Sequence, residues 1–135
     1  MNISKGMSVY SLILQKVLEI IELYYIIKVN REFKRRFIMK HIVLFKFEDR
    51  DCLDKVDRLL EETYEKLENT HKVIEGYKFS INCLEDKENN MDIILFVDLA
   101  SAEALPAYIN HPDHQEVLAK LKSLGLKDKS VIDIH

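Results

Sequence analysis

Lys40-His41-Ile42-Val43-Leu44-Phe45-Lys46-Phe47 is the stretch that decides the fold. His41, Val43, Phe45 and Phe47 alternate with Ile42 and Leu44, so both faces of the run begin apolar. Such a run is a β-strand in a sheet covered on both sides. Downstream, Leu53, Val56, Leu60, Tyr64 and Leu67 fall at helical spacing with charges between them, predicting a helix over 51–69. Asp49 or Asp51 supplies its cap. Over 73–84, Tyr77, Phe79, Ile81 and Cys83 alternate with Lys78, Ser80 and Asn82, a strand with one wetter side on which Cys83 is a small core hydrophobe. A polar turn with Asn89-Asn90 leads to a third strand over 92–99. A broken helical region over 101–109 and 112–124 follows, with Ser101 as N-cap and Gly125 at its end, and 130–134 is the last strand.

The order β-α-β-β-α-β predicts an α+β fold of the ferredoxin-like plan, with helices on one face of four strands. The strands are apolar on both faces, so the uncovered face needs a partner, and a homodimer packed sheet to sheet is expected. Residues 39–135 form this domain, and residues 1–38 stand apart as an N-terminal extension.

Composition narrows the function. The chain has 135 residues, 47% hydrophobic and 32% charged, the profile of one ordinary globular domain. A net charge of −3, no Trp and no interleaving of aromatics with Arg or Lys exclude a nucleic-acid groove or a base-stacking platform. Cys52 and Cys83 are far apart and form no Cys-x-x-Cys pair, which argues against zinc or a disulfide framework and for a reducing cytoplasm. With three glycines there is no phosphate-cradling loop, and no cofactor is expected.

The extension admits several readings. Lys16, Glu19, Glu22 and Lys28 interrupt any membrane span, and no signal-peptide pattern is clear, so a membrane role is disfavoured. Ile13, Val17, Ile20, Ile21 and Tyr24 follow the spacing of an amphipathic helix. Alternatively, Lys34-Arg35-Arg36 can be encoded by a purine run of the AAGGAGG type, two codons ahead of Met39, which would make Met39 the translation start.

The chemistry gathers in Tyr108-Ile109-Asn110-His111-Pro112-Asp113-His114, a phenol and two imidazoles within one turn. Pro112 suits the first position of a helix, where its missing N–H costs nothing. His114 then lies in the first turn, where the positive end of the dipole favours neutral imidazole, the form that acts as a base, while Asp113 and Glu116 pull the other way by favouring imidazolium. Proton abstraction beside a carbonyl, with Tyr108 hydrogen-bonding the enolate, is one reading. In the other, His111 and His114 bond backbone groups and fix the break between helices, while Tyr108 and His41 pack the core. A metal between His111 and His114 has no Cys nearby, and Asp113 would point away on a helix, so none is expected. Glu61, Glu62, Glu65 and Glu68 read as a solvated face with Lys66 and Lys72 as partners.

Lys40–Phe47 and Tyr108–His114 together resemble the two signatures of the stress-responsive dimeric α/β-barrel (Dabb) proteins, and Val131-Ile132-Asp133 is similar to that family's last strand. The resemblance covers 39–135. It implies a homodimeric α+β barrel, a stress-associated role and a small apolar ligand. The family also includes a plant polyketide cyclase. That relative implies His114 as the acid–base residue, Tyr108 and His41 as orienting groups and His111 as a supporting residue, in a cofactor-independent cyclase, lyase or isomerase acting on a carbonyl compound.

Overall fold

The computed structural model describes residues 8–81 and 90–135. The expected places of Cys83 and Asn89 lie outside them. The chain divides into two compact units, residues 1–36 and 37–135.

The first unit is carried by one helix, α1 (Val9–Phe37), of 29 residues. The expected apolar stripe is not confined to one side. Tyr10, Leu14, Leu18, Leu23, Tyr25, Ile26 and Ile27 are exposed along with Ile13, Val17, Ile20, Ile21 and Tyr24. Apolar side chains at nearly every turn angle leave no polar face to define amphipathicity. Among the described residues, no helix is long and apolar enough to cross a membrane.

The second unit is the ferredoxin-like α+β fold. It runs β1 (Met39–Phe47), a 3₁₀ turn (Arg50–Cys52), α2 (Leu53–Asn69), β2 (Gly76–Ser80), β3 (Ile93–Leu99), a 3₁₀ turn (Ala102–Ala104), α3 (Leu105–Ile109), α4 (Pro112–Ser123) and β4 (Leu126–Ile134). The sheet order is β2-β3-β1-β4, with β1 antiparallel to both its neighbours. β2 starts at Gly76, later than the alternation suggested, and pairs with β3 from Gly76↔Asp98 to Ser80↔Ile94, while 82–84 of the expected strand lie outside the described residues. β4 is longer at its start: the pairing of Phe47 with Leu126, across a bulge at Lys46/Phe47, extends it back to Leu126. Gly125 has φ +99°, a conformation that favours glycine, and it turns α4 into β4.

The β1 side chains at 41, 43, 45 and 47 face the helices and are buried, and Leu95 and Val97 of β3 join them. Val56, Leu60, Tyr64 and Leu67 of α2, with Val117 and Leu121 of α4, close the core from above. Asp49 caps the turn before α2 by accepting the Asp51 N–H at 2.9 Å. Ser101 stands at the N-cap position of its turn, but its hydroxyl makes no capping bond. On the other face, Ile42 lies beside Phe96 and Ile132, Leu44 beside Ile94, and Lys40 beside Ile134. Among the described residues of this unit, no helix covers this face. Ile132 and Ile134 are about half exposed there, at 51% and 45%.

Candidate functional site

Sequence places a helix stop at Asn110-His111-Pro112. A residue before proline is driven out of the helical region, and His111 is extended (φ −63°, ψ 136°). The break leaves the end of α3 with carbonyls that no helical N–H can reach. His114 answers one of them: its Nδ1 donates to the Ile109 carbonyl at 2.9 Å, and Gln115 Nε2 donates to the same oxygen at 2.7 Å. A carbonyl only accepts, so Nδ1 carries the proton and the lone pair of neutral His114 is on Nε2. Among the described residues, Nε2 has no hydrogen-bond partner. Among the described residues no buried side-chain polar atom lacks a partner, so Nε2 meets open space. Burial is the main force holding the His114 pKa below its ordinary 6.5, against the pull of the Ile109 hydrogen bond, with the charges of His41 and Lys129 adding to the depression.

His41, 5% exposed, enters from the first inward position of β1. Its Nδ1 bonds the carboxylate of Asp133, its cross-strand neighbour on β4, at 2.5 Å. A carboxylate accepts, which fixes the His41 proton on Nδ1 as well. Tyr108 arrives from α3 and is fully buried, its ring 4.5 Å from that of His114 and 5.6 Å from that of His41. Its hydroxyl meets Tyr64 of α2 at 2.6 Å. Burial raises both phenols, Tyr64 to about 12 and Tyr108 further, so both remain protonated hydrogen-bonding groups.

These groups surround a cavity of about 60 Å³. His41, Tyr64, Tyr108, His114 and Lys129 supply its polar lining, and Val43, Phe45, Leu118, Leu121 and Val131 belong to its apolar walls. That volume holds more than one water or the reactive end of a small organic molecule. A larger cleft of about 140 Å³ separates α2 from α4, but Glu62, Lys66, Glu116 and Lys120 line it and no imidazole reaches it.

The structure therefore brings His41, Tyr108 and His114 together. It does not bring His111 with them. His111 Nδ1 accepts the Asp113 N–H at 3.1 Å and so caps α4, and its ring lies 4.7 Å from that of His71. Asp113 does not point away unused: it pairs with His71 Nε2 at 3.0 Å. Glu61 likewise serves more than a solvated face, since it accepts the Tyr77 hydroxyl at 2.8 Å. Among the described residues, no three His, Cys, Asp or Glu side chains assemble as a metal set. Sequence reasoning missed three members of the site. Tyr64 looked like one more apolar position of α2. Asp133 and Lys129 became visible only through register, which pairs them with His41 and Phe45 on the helix-facing side of the sheet.

A family model for the stress responsive A/B barrel domain matches residues 39–134. Comparison with curated proteins finds no match. Among solved structures, one from Bacteroides fragilis, described as a dimeric protein of unknown function with a ferredoxin-like fold, is 23% identical. It superposes with a TM-score of 0.61 over 73% of this chain and 95% of its own. A dimeric ferredoxin-like protein of unknown function from Thermobifida fusca is 25% identical, with a TM-score of 0.59 over 72% of this chain and 89% of its own. A hydroxynitrile lyase from Passiflora edulis shares the fold at 15% identity, with a TM-score of 0.58 over 73% of this chain and 91% of its own.

Proposed function

Since the chain belongs to the stress responsive A/B barrel domain family, we propose that it works as a homodimer that holds a small carbonyl-bearing molecule in the cavity between sheet and helices. The observation that carries this reading is the convergence of His41, Tyr108 and His114 on one partly apolar cavity. Apolar walls with a few converging polar groups are the usual make-up of a small-molecule site. The homodimer is supported by the uncovered sheet face of Ile42, Leu44, Ile94, Phe96, Ile132 and Ile134, and by the dimeric description of two similar structures. A stress-associated role follows the family's description. The sparse cysteines favour the cytoplasm.

A second reading, cofactor-independent proton transfer by a cyclase, lyase or isomerase, is favoured by one observation: His114 has its basic nitrogen open and its other nitrogen anchored. In that reading His114 takes the proton from the carbon beside the carbonyl, and the electron pair moves onto the carbonyl oxygen. His41 and Tyr108 orient the molecule or hydrogen-bond that oxygen.

Saturation-transfer NMR of the full chain with 2-butanone in D₂O tests both readings. Binding by the wild type and its loss in Leu118→Phe, which fills the cavity, is the expected result. Deuterium uptake beside the carbonyl that disappears in His114→Gln establishes catalysis, and binding without uptake leaves the ligand-holding role alone. No binding overturns both readings.

A further inference from the structure

The cavity wall contains one residue of fixed charge, and the sheet register puts it there. Lys129 pairs across the strands with Phe45, as Val131 pairs with Val43 and Asp133 with His41, so all three β4 side chains share the helix-facing side. Lys129 lines the cavity alongside His114 and Val131. Among the described residues its ammonium forms no hydrogen bond or ion pair. The nearest carboxylate on its own strand face, Asp133, is four residues away, about 13 Å along the strand, and is committed to His41. Every other polar group of the wall is a phenol or an imidazole. The result is a positive charge with no carboxylate partner among the described residues, at the edge of a small cavity.

We propose that Lys129 makes this site selective for a small carbonyl compound carrying one carboxylate, an oxo acid, over its uncharged counterpart. The inference rests on the cavity being a ligand site, as proposed above. A carboxylate against the ammonium places the adjacent carbonyl carbon among His41, Tyr108 and His114, with apolar walls left for a short hydrocarbon remainder. The same charge disfavours protonation of His114, so the group that selects the anion also helps to keep its neighbour neutral. Lys129 is exposed apart from its contact with the cavity. The attraction is therefore screened by water and salt, and it contributes discrimination more than tight binding.

The test compares pyruvate with pyruvamide, which share shape and carbonyl and differ in charge. Their binding to the full chain is followed by the shift of the His114 ring protons. Pyruvate is expected to bind about threefold or more tighter than pyruvamide, the size a partly screened ion pair provides. The preference should vanish in Lys129→Met, persist in Lys129→Arg and shrink as salt is raised, with circular dichroism unchanged in both variants. Equal binding of the two probes by the wild type, or an undiminished preference in Lys129→Met, overturns the proposal. If neither probe binds while 2-butanone does, the anion selectivity is wrong and the cavity reading stands. If 2-butanone also fails, the cavity reading falls with it.

Discussion

Replacing Tyr108 by Phe removes one oxygen from a fully buried ring and leaves the rest of the packing in place. Its partner, the Tyr64 hydroxyl, is 2.6 Å away on a side chain only 2% exposed. A buried donor or acceptor stripped of its partner costs about 1–3 kcal/mol. The cavity that touches both rings admits a replacement water, which sets the expectation near the lower end, about 1–2 kcal/mol. Tyr64→Phe should cost a similar amount. The double variant removes both oxygens, so no buried hydroxyl is stranded, and it should be less destabilised than the sum of the singles by about 1 kcal/mol or more. The chain has no Trp, so urea unfolding followed by far-ultraviolet circular dichroism is the suitable assay. Strict additivity, or a Tyr108→Phe variant as stable as wild type, would refute the coupled pair.

Three further outcomes follow from the same geometry. Burial holds His114 below its ordinary 6.5, so the unfolded chain takes up a proton in a range where the folded protein resists it. Stability should therefore fall as the pH drops below about 6.5, until the folded pKa is passed. Melts between neutral and mildly acidic pH should show a steeper fall for wild type than for His114→Gln, and parallel slopes would contradict this. Asp133→Ala strands the His41 Nδ1–H, but Asp133 is 38% exposed and water can reach the gap. The loss in chemical denaturation should be about 1 kcal/mol, with no change in fold. Phe96→Glu puts a charge in the middle of the uncovered sheet face and should convert a sedimenting dimer to monomer, whereas an unchanged dimer would place the interface elsewhere.

Much of the fold was legible because it depends on periodicity. The alternation of 41–47 and the helical spacing of Val56, Leu60, Tyr64 and Leu67 each specify one face, and the observed core uses those faces. Pro112 and Gly125 mark the start and end of α4 through backbone constraints that no tertiary contact overrides. The extension was harder to read. A subset of its apolar residues fits a stripe, yet apolar residues also occupy the rest of the circumference, and only the full set reveals that.

The site was legible in part, for a different reason. His41, Tyr108 and His114 stood out by residue type near element ends. The backbone bonds expected of the histidine turn are present, since His111 caps α4 and His114 uses one nitrogen for the helix break. Asp133 and Lys129 could not be found this way. A strand's inward side is set by which residue it pairs with, and the 126–134 segment, with Lys127, Asp128, Lys129 and Ser130 in succession, has no apolar alternation to fix it. Tyr64 was hidden because helical spacing reports that a side chain is buried, not what its hydroxyl meets.

Whether His114 offers a free basic nitrogen to the cavity is read from long-range ¹H–¹⁵N correlation of the histidine rings in the full chain at neutral pH. The expected result is neutral His114 with its proton on Nδ1 and an unprotonated Nε2 whose resonance moves when 2-butanone is added. A proton on Nε2, or an Nε2 resonance indifferent to the ketone, would contradict it.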